Sequence, residues 1–230
     1  MIDKVFSDPD AAVADIPDGV TIMFGGFASA GSPTSLILAL QRQRIRDITG
    51  IANNIGLGDK LDVLCERRQL KKMIASFAIR ASGGRQSLFE QQYRAGGVEL
   101  EVVPQGTLAE RIRAAGAGIG GFYTRTGVGT PVAEGKEQRT LNGDDYLLEL
   151  PLFADYALIK AHRGDRMGNL TYHGSGRNFN VPMATAATVV IAEVDEIVET
   201  GDLDPERVIT PGIYVDRIVV GERHQIRWFA

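Results

Sequence analysis

The chain has 230 residues, 44% of them hydrophobic and 23% charged, which is typical of an ordered globular protein of one large domain. Its net charge of −4 argues against nucleic acid or an anionic membrane as a partner. One cysteine excludes an intrachain disulfide, and one cysteine with three histidines makes a metal site unexpected.

The glycine content and the first residues are also informative. Glycine is abundant, at 27 of 230 residues, or about 12% against a norm of about 7%. The first residues, Met1–Asp8, are acidic, have no long apolar run and do not resemble a signal peptide, and no stretch is apolar enough to span a bilayer. We therefore expect a cytoplasmic protein.

The first predicted elements form a strand, a loop and a helix. Val20–Phe24 reads as a buried strand, and a glycine-rich loop follows at Gly25–Gly31. Ser32 is the expected N-cap of the next helix, with Pro33 in its first position. The apolar spacing continues this helix to about Arg42.

The same unit recurs along the first half of the chain. Further strands are predicted at residues 47–52, 72–75 and 98–103, and helices at residues 87–95 and 107–115. Thr107–Glu110 fits a capping box at the start of the last helix. Alternating strands and helices predict an α/β fold, an open and mainly parallel sheet with helices on both faces.

Four loops should meet at one edge of this sheet. The carboxyl ends of parallel strands lie together, and ligands bind there. The loops are Gly25–Gly31 and those beginning at Asn53-Asn54, Ser76-Phe77 and Gln105-Gly106.

The second half of the chain is less regular. Six glycines between Gly116 and Gly129 indicate a shaped loop rather than a helix. Strands are predicted at residues 147–150, 156–161 and 188–194, with a turn at 163–169 and an edge element at 209–220. We see no linker, and expect one domain at residues 1–221 followed by a C-terminal tail at 222–230.

The glycine loop does not fit the common nucleotide motifs. It lacks the G-x-G-x-x-G spacing of dinucleotide-binding folds and the Gly-Lys-Ser/Thr of a Walker loop. Its backbone could hold an anion, let a large ligand approach, or merely turn the chain. The loop alone leaves these alternatives open.

A longer motif around this loop carries a family resemblance. Asp18–Pro33 reads acidic residue, Gly, apolar strand, Gly-Gly-Phe, three residues, Gly, one residue, Pro. It resembles the glycine-rich motif of the A subunit in family I coenzyme A transferases. Other similar segments follow in the same order, at residues 53–54, 104–113, 122–130, 160–169, 177–179 and 210–215. The resemblance extends from about Lys4 to Gly221.

This resemblance implies an activity that needs a second chain. In the family a glutamate carboxylate attacks an acyl-coenzyme A and becomes a glutamyl-coenzyme A thioester. In two-subunit members that glutamate lies in a Ser-Glu-Asn-Gly motif of the B subunit, and this chain has no such motif. We therefore expect no catalytic residue in this chain, a heterodimer or α2β2 heterotetramer with the B subunit, and a coenzyme A thioester as substrate without a permanently bound cofactor.

The resemblance also implies which residues form the site. The loop is expected to bind coenzyme A through Gly25, Gly26, Phe27, Ala28, Ser29, Ala30 and Gly31. Asn53, Asn54 and Gln105 are expected near the substrate carboxylate, because amides donate hydrogen bonds without adding a competing acid.

Other polar residues are given structural roles. Arg163, Arg166 and Arg177 could meet phosphates but are expected at the surface. His162 and His173 are expected to be hydrogen-bonded rather than basic catalysts, and Cys65 to be a packed thiol. The acidic run Glu193, Asp195, Glu196 and Glu199 is expected to be a solvated face.

Two other function classes remain as alternatives, an oxidoreductase and a non-catalytic binding module on the same scaffold. For the transferase the acceptor is also open. Residues 154–172 are similar to 3-oxoadipate transferases, whereas residues 178–183 are closer to acetoacetate enzymes. We favour 3-oxoadipate slightly.

Overall fold

The computed structural model describes residues 4–56, 59–79 and 86–222. The predicted C-terminal tail lies outside the described residues except for Glu222. Within these ranges no helix is both long and apolar enough to cross a lipid bilayer.

The described residues form thirteen strands and five α-helices. The strands are β1 (Thr21–Phe24), β2 (Ile48–Asn54), β3 (Leu70–Phe77), β4 (Glu99–Val102), β5 (Phe122–Thr124), β6 (Gln138–Leu141), β7 (Asp144–Glu149), β8 (Ala154–Lys160), β9 (Arg163–Asp165), β10 (Leu170–Thr171), β11 (Ala187–Val194), β12 (Glu196–Val198) and β13 (Arg217–Val220). The helices are α1 (Pro9–Val13), α2 (Thr34–Gln43), α3 (Leu88–Arg94), α4 (Gln105–Gly116) and α5 (Asn180–Met183).

Seven strands form the central sheet, in the order β13-β11-β8-β1-β2-β3-β4. Every neighbouring pair in this sheet is parallel. The predicted α/β fold with a parallel sheet is therefore confirmed. The four loops predicted to converge follow β1, β2, β3 and β4, which are adjacent in space.

Alternate residues of the strands point into two separate cores. On β1, Ile22 and Phe24 pack with α1, α2 and α3, whereas Met23 packs with α4 and α5 on the opposite face. Helices thus cover both faces, and the cleft described below lies on the α4–α5 side.

Two small sheets were only partly predicted. β5, within the glycine-rich segment, forms an antiparallel sheet with β7 and β6, and β10, β9 and β12 form a second, separate sheet. Sequence analysis placed a strand near residues 147–150 but missed β6, because its residues are all exposed and carry no apolar alternation.

Both predicted helix caps are wrong. α2 begins after Pro33, and the Ser32 hydroxyl donates to the carbonyl of Asp59 instead of capping. α4 begins at Gln105 with Pro104 before it, so Thr107 lies inside the first turn, where its buried hydroxyl has no hydrogen-bond partner among the described residues. Both helices start without a side-chain cap from a neighbouring residue.

Candidate active site

The loop Gly25–Gly31 forms a tight turn at the carboxyl end of β1. Phe27 and Ala30 exchange two backbone hydrogen bonds of 3.0 Å, which leaves Ala28 and Ser29 at the tip. Gly26 has a φ of +115°, and a Cβ there would lie 3.2 Å from the Cα of Ser32. Glycine at this position is therefore a conformational requirement.

Three asparagine side chains hold this turn in place. Asn54 Oδ1 accepts a 2.7 Å hydrogen bond from the amide of Ala28. From the opposite side, Asn178 Nδ2 donates to the carbonyl of Ala30, and Asn180 Nδ2 to that of Gly31, both at 2.9 Å. The loop is thus fixed by hydrogen bonds from side chains far away in sequence.

The predicted polar residues form one connected chain of amides. Gln105 Nε2 donates to Asn53 Oδ1 at 2.6 Å, and Asn53 Nδ2 donates to Asn54 Oδ1 at 2.8 Å. Asn54 Nδ2 in turn donates to the carboxylate of Asp59 at 2.5 Å. The structure therefore brings together the loop, both asparagines and Gln105, as the sheet topology predicts.

These three amide side chains differ in how deeply they are buried. Asn53 is 2% and Asn54 4% exposed, whereas Gln105 is half-buried. Gln105 lines the open cleft, and the two asparagines lie below it. Any effect of Asn53 on a ligand in this cleft would pass through Gln105, and any effect of Asn54 through Asn53 or the loop.

A cleft of about 350 Å³ opens between the loop, α4 and the segment leading into α5. It is lined by Phe27, Gln105, Gly106, Ala109, Asn178, Phe179 and Pro182. This lining is largely apolar, with two amides and no charged side chain. Such a volume and composition suit a small organic ligand held by few polar contacts.

Not every residue predicted at this edge reaches the cleft. The Ser76-Phe77 segment ends β3, and Phe77 is 45% exposed but is absent from the cleft lining. Asn178 and Phe179 do line the cleft, although sequence analysis used them only in the family-like segment 177–179 and in the comparison of the two acceptors.

A buried carboxylate supports the helix that follows the loop. Glu193, 1% exposed, accepts from the amides of Ser35 at 2.8 Å and Leu36 at 3.1 Å, so it caps α2. Its other oxygen lies 3.3 Å from Lys160 Nζ. Burial raises the pKa of Glu193, while the charge of Lys160 and the two amides oppose that shift.

Lys160 also connects this pair to the nearby histidine. Its Nζ lies 2.8 Å from Asp195, which bonds His162 Nδ1 at 3.0 Å. Burial opposes ionisation of Asp195, but hydrogen bonds from Lys160 and His162 lower its pKa. The solvated face predicted for the acidic run is wrong for Glu193 and holds for Glu196 and Glu199, which are exposed.

The remaining candidates lie away from the cleft lining. Arg163 pairs with Glu196 at 2.9 Å, and Arg177 is exposed. Cys65 is 1% exposed, and burial raises the pKa of its thiol to about 12, so it is the packed thiol that was predicted. Among the described residues no cluster of His, Cys, Asp or Glu could hold a metal ion.

The sequence matches the coenzyme A transferase family over residues 6–221. It is 53% identical over 220 residues to the A subunit of 3-oxoadipate CoA-transferase from Pseudomonas putida, covering 95% of this chain and 94% of that one. It is 45% identical over 243 residues to human mitochondrial succinyl-CoA:3-ketoacid coenzyme A transferase 2, covering 97% of this chain but 46% of the human protein. The crystal structure of glutaconate coenzyme A-transferase from Acidaminococcus fermentans shares the fold, with a TM-score of 0.84 at 22% identity, covering 94% of this chain and 75% of that one.

Proposed function

The chain belongs to the coenzyme A transferase family, and we propose that it is the A subunit of a two-subunit enzyme that moves coenzyme A from succinyl-coenzyme A to a 3-oxo acid. The observation that carries this proposal is the fixed glycine loop beside a small cleft with Gln105 in its wall. The loop offers close approach to backbone groups, and the cleft offers room for an acyl chain.

The proposed reaction exchanges one thioester for another. A carboxylate attacks the carbonyl carbon of succinyl-coenzyme A, which gives an acyl anhydride and releases the coenzyme A thiolate. The thiolate then attacks the carboxylate's own carbonyl, which frees succinate and leaves a thioester on the enzyme. The 3-oxo acid repeats both steps in reverse and departs as its coenzyme A thioester.

We assign the attacking carboxylate to the partner, the B subunit. This chain has no Ser-Glu-Asn-Gly segment. The buried Glu193, which caps the helix after the loop, is unsuited because both of its oxygens are occupied, one by two α2 amides and the other by Lys160. The human relative, of which this chain spans 46%, is consistent with a second module of similar size.

This chain would supply the walls of the site. We assign residues 25–31 to the coenzyme A thioester and Gln105, supported by Asn53 and Asn54, to the acid's carboxylate. Amide N–H groups stabilise a carboxylate and the oxyanion that forms when the nucleophile attacks. No resident cofactor takes part in this scheme, and coenzyme A enters only as substrate.

For the acceptor we favour 3-oxoadipate, with acetoacetate as the alternative. Relatives named as 3-oxoadipate enzymes are 50–53% identical and those named as 3-ketoacid enzymes 44–51%, so sequence identity favours 3-oxoadipate only slightly. Gln105, in the wall of the otherwise apolar cleft, could meet a carboxylate of the acid, whereas Asn178 Nδ2 already donates to the carbonyls of Ala30 and Ser175.

The proposal also covers the domain bounds, the assembly and the location of the protein. We propose that residues 1–221 form the transferase domain, that 222–230 are a tail, and that the chain works in the cytoplasm in a heterodimer or α2β2 heterotetramer.

The test is a transfer assay on the chain co-expressed with its B subunit. Succinyl-coenzyme A is the donor, and 3-oxoadipate and acetoacetate are compared as acceptors by the ratio of their kcat/KM values. Transfer to a 3-oxo acid is expected, with 3-oxoadipate preferred. A preference for acetoacetate would overturn the acceptor, and reduction of NAD without transfer would favour an oxidoreductase instead.

A further inference from the structure

One buried amide joins three separate segments around the glycine loop. Asn180 is 0% exposed and begins α5. Its Nδ2 donates to the carbonyls of Gly31 at 2.9 Å and Gly176 at 2.8 Å, and its Oδ1 accepts from the backbone amide of Lys160 at 2.9 Å. The Asn180 side chain therefore bonds the glycine loop, the segment before the cleft wall and the end of β8.

The same amide fills the space that side chains at two loop glycines would need. A Cβ on Gly25 would stand 1.8 Å from Asn180 Oδ1 and 2.7 Å from its Cγ. A Cβ on Gly31, whose φ is +69°, would stand 2.8 Å from Asn180 Nδ2. The need for glycine at position 25 is thus explained by the packing of Asn180, without a ligand that approaches the backbone there.

Asn180 is also continuous with the cleft wall. Asn178 and Phe179 line the cleft, and Asn178 Nδ2 bonds the loop at Ala30. A shift of Asn180 would therefore move both the loop and the opposite wall. Since Asn180 is fully buried, it cannot itself contact a ligand in the cleft.

We propose that Asn180 is a positioning residue that fixes the glycine loop in the conformation that receives the coenzyme A thioester. The part of this proposal that concerns the thioester rests on the proposed function. The part that concerns the loop conformation is independent of the proposed function, because it follows from the hydrogen bonds and the close packing of Asn180 alone.

The test uses the complex of this chain with its B subunit. Asn180→Ala removes the three hydrogen bonds described above and a longer one of 3.4 Å to Asn178 Oδ1. Asn180→Asp keeps the acceptor for Lys160 but places a carboxylate oxygen against two carbonyls. A displacement of the loop by about 1 Å is expected to lower kcat/KM roughly 10- to 100-fold, mainly through a higher KM for succinyl-coenzyme A.

Asn169 offers a matched control. Its side chain also joins separated segments, since Nδ2 donates to Asp165 and Oδ1 accepts from the amide of Gly212, both at 2.8 Å. It does not line the cleft. Asn169→Ala is expected to lower the unfolding midpoint while leaving the KM for succinyl-coenzyme A unchanged. If Asn180→Ala behaves in the same way as this control, Asn180 is only structural and the proposal is overturned.

A double-mutant cycle tests the packing directly. Gly25→Ala is expected to be damaging in the wild-type background, because the new methyl group meets Asn180. In the Asn180→Ala background that obstacle is gone. Adding Gly25→Ala there should lower kcat/KM by less than about a further twofold. Equal losses from Gly25→Ala in both backgrounds would contradict the proposal.

The cycle is also measured as unfolding midpoints, which do not depend on catalysis. If the wild-type complex transfers no coenzyme A, the proposed function fails and so does the thioester assigned to the loop. The midpoints would then still decide whether Asn180 fixes the loop, because additive shifts refute the packing and non-additive shifts support it.

Discussion

Gln105 Nε2 and Asn53 Oδ1 are joined by a 2.6 Å hydrogen bond that ties the first turn of α4 to the end of β2. Asn53 is buried, and Gln105 lines the cleft. The bond to buried Asn53 therefore orients the Gln105 amide, which remains accessible to a ligand in the cleft beside α4. In the proposed enzyme, that amide meets the acid's carboxylate.

Replacing Gln105 by alanine should weaken recognition of the acid. The loss of a hydrogen bond to a charged group is expected to lower kcat/KM for the 3-oxo acid by about ten- to a hundredfold, corresponding to about 1.5–3 kcal/mol. The measurement is steady-state kinetics on the complex, with the unfolding midpoint as a check on the fold. An unchanged kcat/KM would remove Gln105 from the site.

Filling the cleft should act on substrates and spare stability. Ala109 lies on the cleft face of α4, and leucine is also a strong helix former. Ala109→Leu is expected to lower kcat/KM more for six-carbon 3-oxoadipate than for four-carbon acetoacetate, because the longer chain needs more of the cleft.

Glu110→Leu is the matched control for this change. It places the same side chain on the same helix at an exposed position, where Glu110 pairs with Arg113. Its kinetics should equal those of the wild type. Equal effects of the two leucines would show that the cleft does not hold the acyl chain.

The cap that Glu193 provides should be a large contributor to stability. Glu193→Ala leaves the amides of Ser35 and Leu36 without their acceptor and removes one partner of Lys160. We expect a loss of about 1–3 kcal/mol in the free energy of unfolding. Glu193→Gln retains an acceptor oxygen and should lose less.

Chemical denaturation of the variants measures this difference. Glu196→Ala serves as the control, because that exposed carboxylate pairs with Arg163 at the surface. It should change the free energy of unfolding by less than about 1 kcal/mol. A Glu193→Ala variant as stable as this control would show that α2 does not need the cap.

Glu193 should also give the stability a characteristic pH dependence. Its pKa in the folded chain is raised by burial above the ordinary value of 4.5. Between 4.5 and the raised value the folded state binds more protons than the unfolded state, so the contribution of Glu193 to stability falls as the pH rises. Glu193→Gln cannot titrate and lacks this decline.

The measurement compares the two proteins by denaturation at a series of pH values from 4.5 upward. Carboxylates with lowered pKa, such as Asp195 and Glu101, lose their contribution to stability only as the pH falls below their ordinary values of 3.8 and 4.5, so they contribute little to the trend in this range. The advantage of the wild type over Glu193→Gln should shrink with rising pH. A constant difference would contradict a raised pKa.

Local patterns in the sequence were enough for the sheet and for the convergence of its loops. Apolar runs followed by small or amide residues predicted the four strands of the first half, and the expectation of a parallel sheet then placed residues 25–31, Asn53, Asn54 and Gln105 at one edge, as the structure has them. That inference needed no knowledge of side-chain contacts, because the carboxyl ends of adjacent parallel strands lie together.

The errors concern groups whose partners are distant in the chain. The cap of α2 comes from Glu193, 158 residues away from Ser35, and no local pattern identifies such a partner. Ser32 was mistaken for a cap because its hydroxyl bonds Asp59, 27 residues away, whereas Thr107 was mistaken for one because α4 begins two residues earlier, at Gln105. Asn180 reaches Gly31 across 149 residues, so its role emerged only once the fold had placed α5 against the loop.

The central claim is that this chain builds the site while its partner carries the nucleophile. The most direct measurement is intact-mass spectrometry of both chains after the complex has been incubated with succinyl-coenzyme A without an acceptor. We predict that a coenzyme A thioester forms on the B subunit and that the mass of this chain stays unchanged. A coenzyme A adduct on this chain would contradict the account.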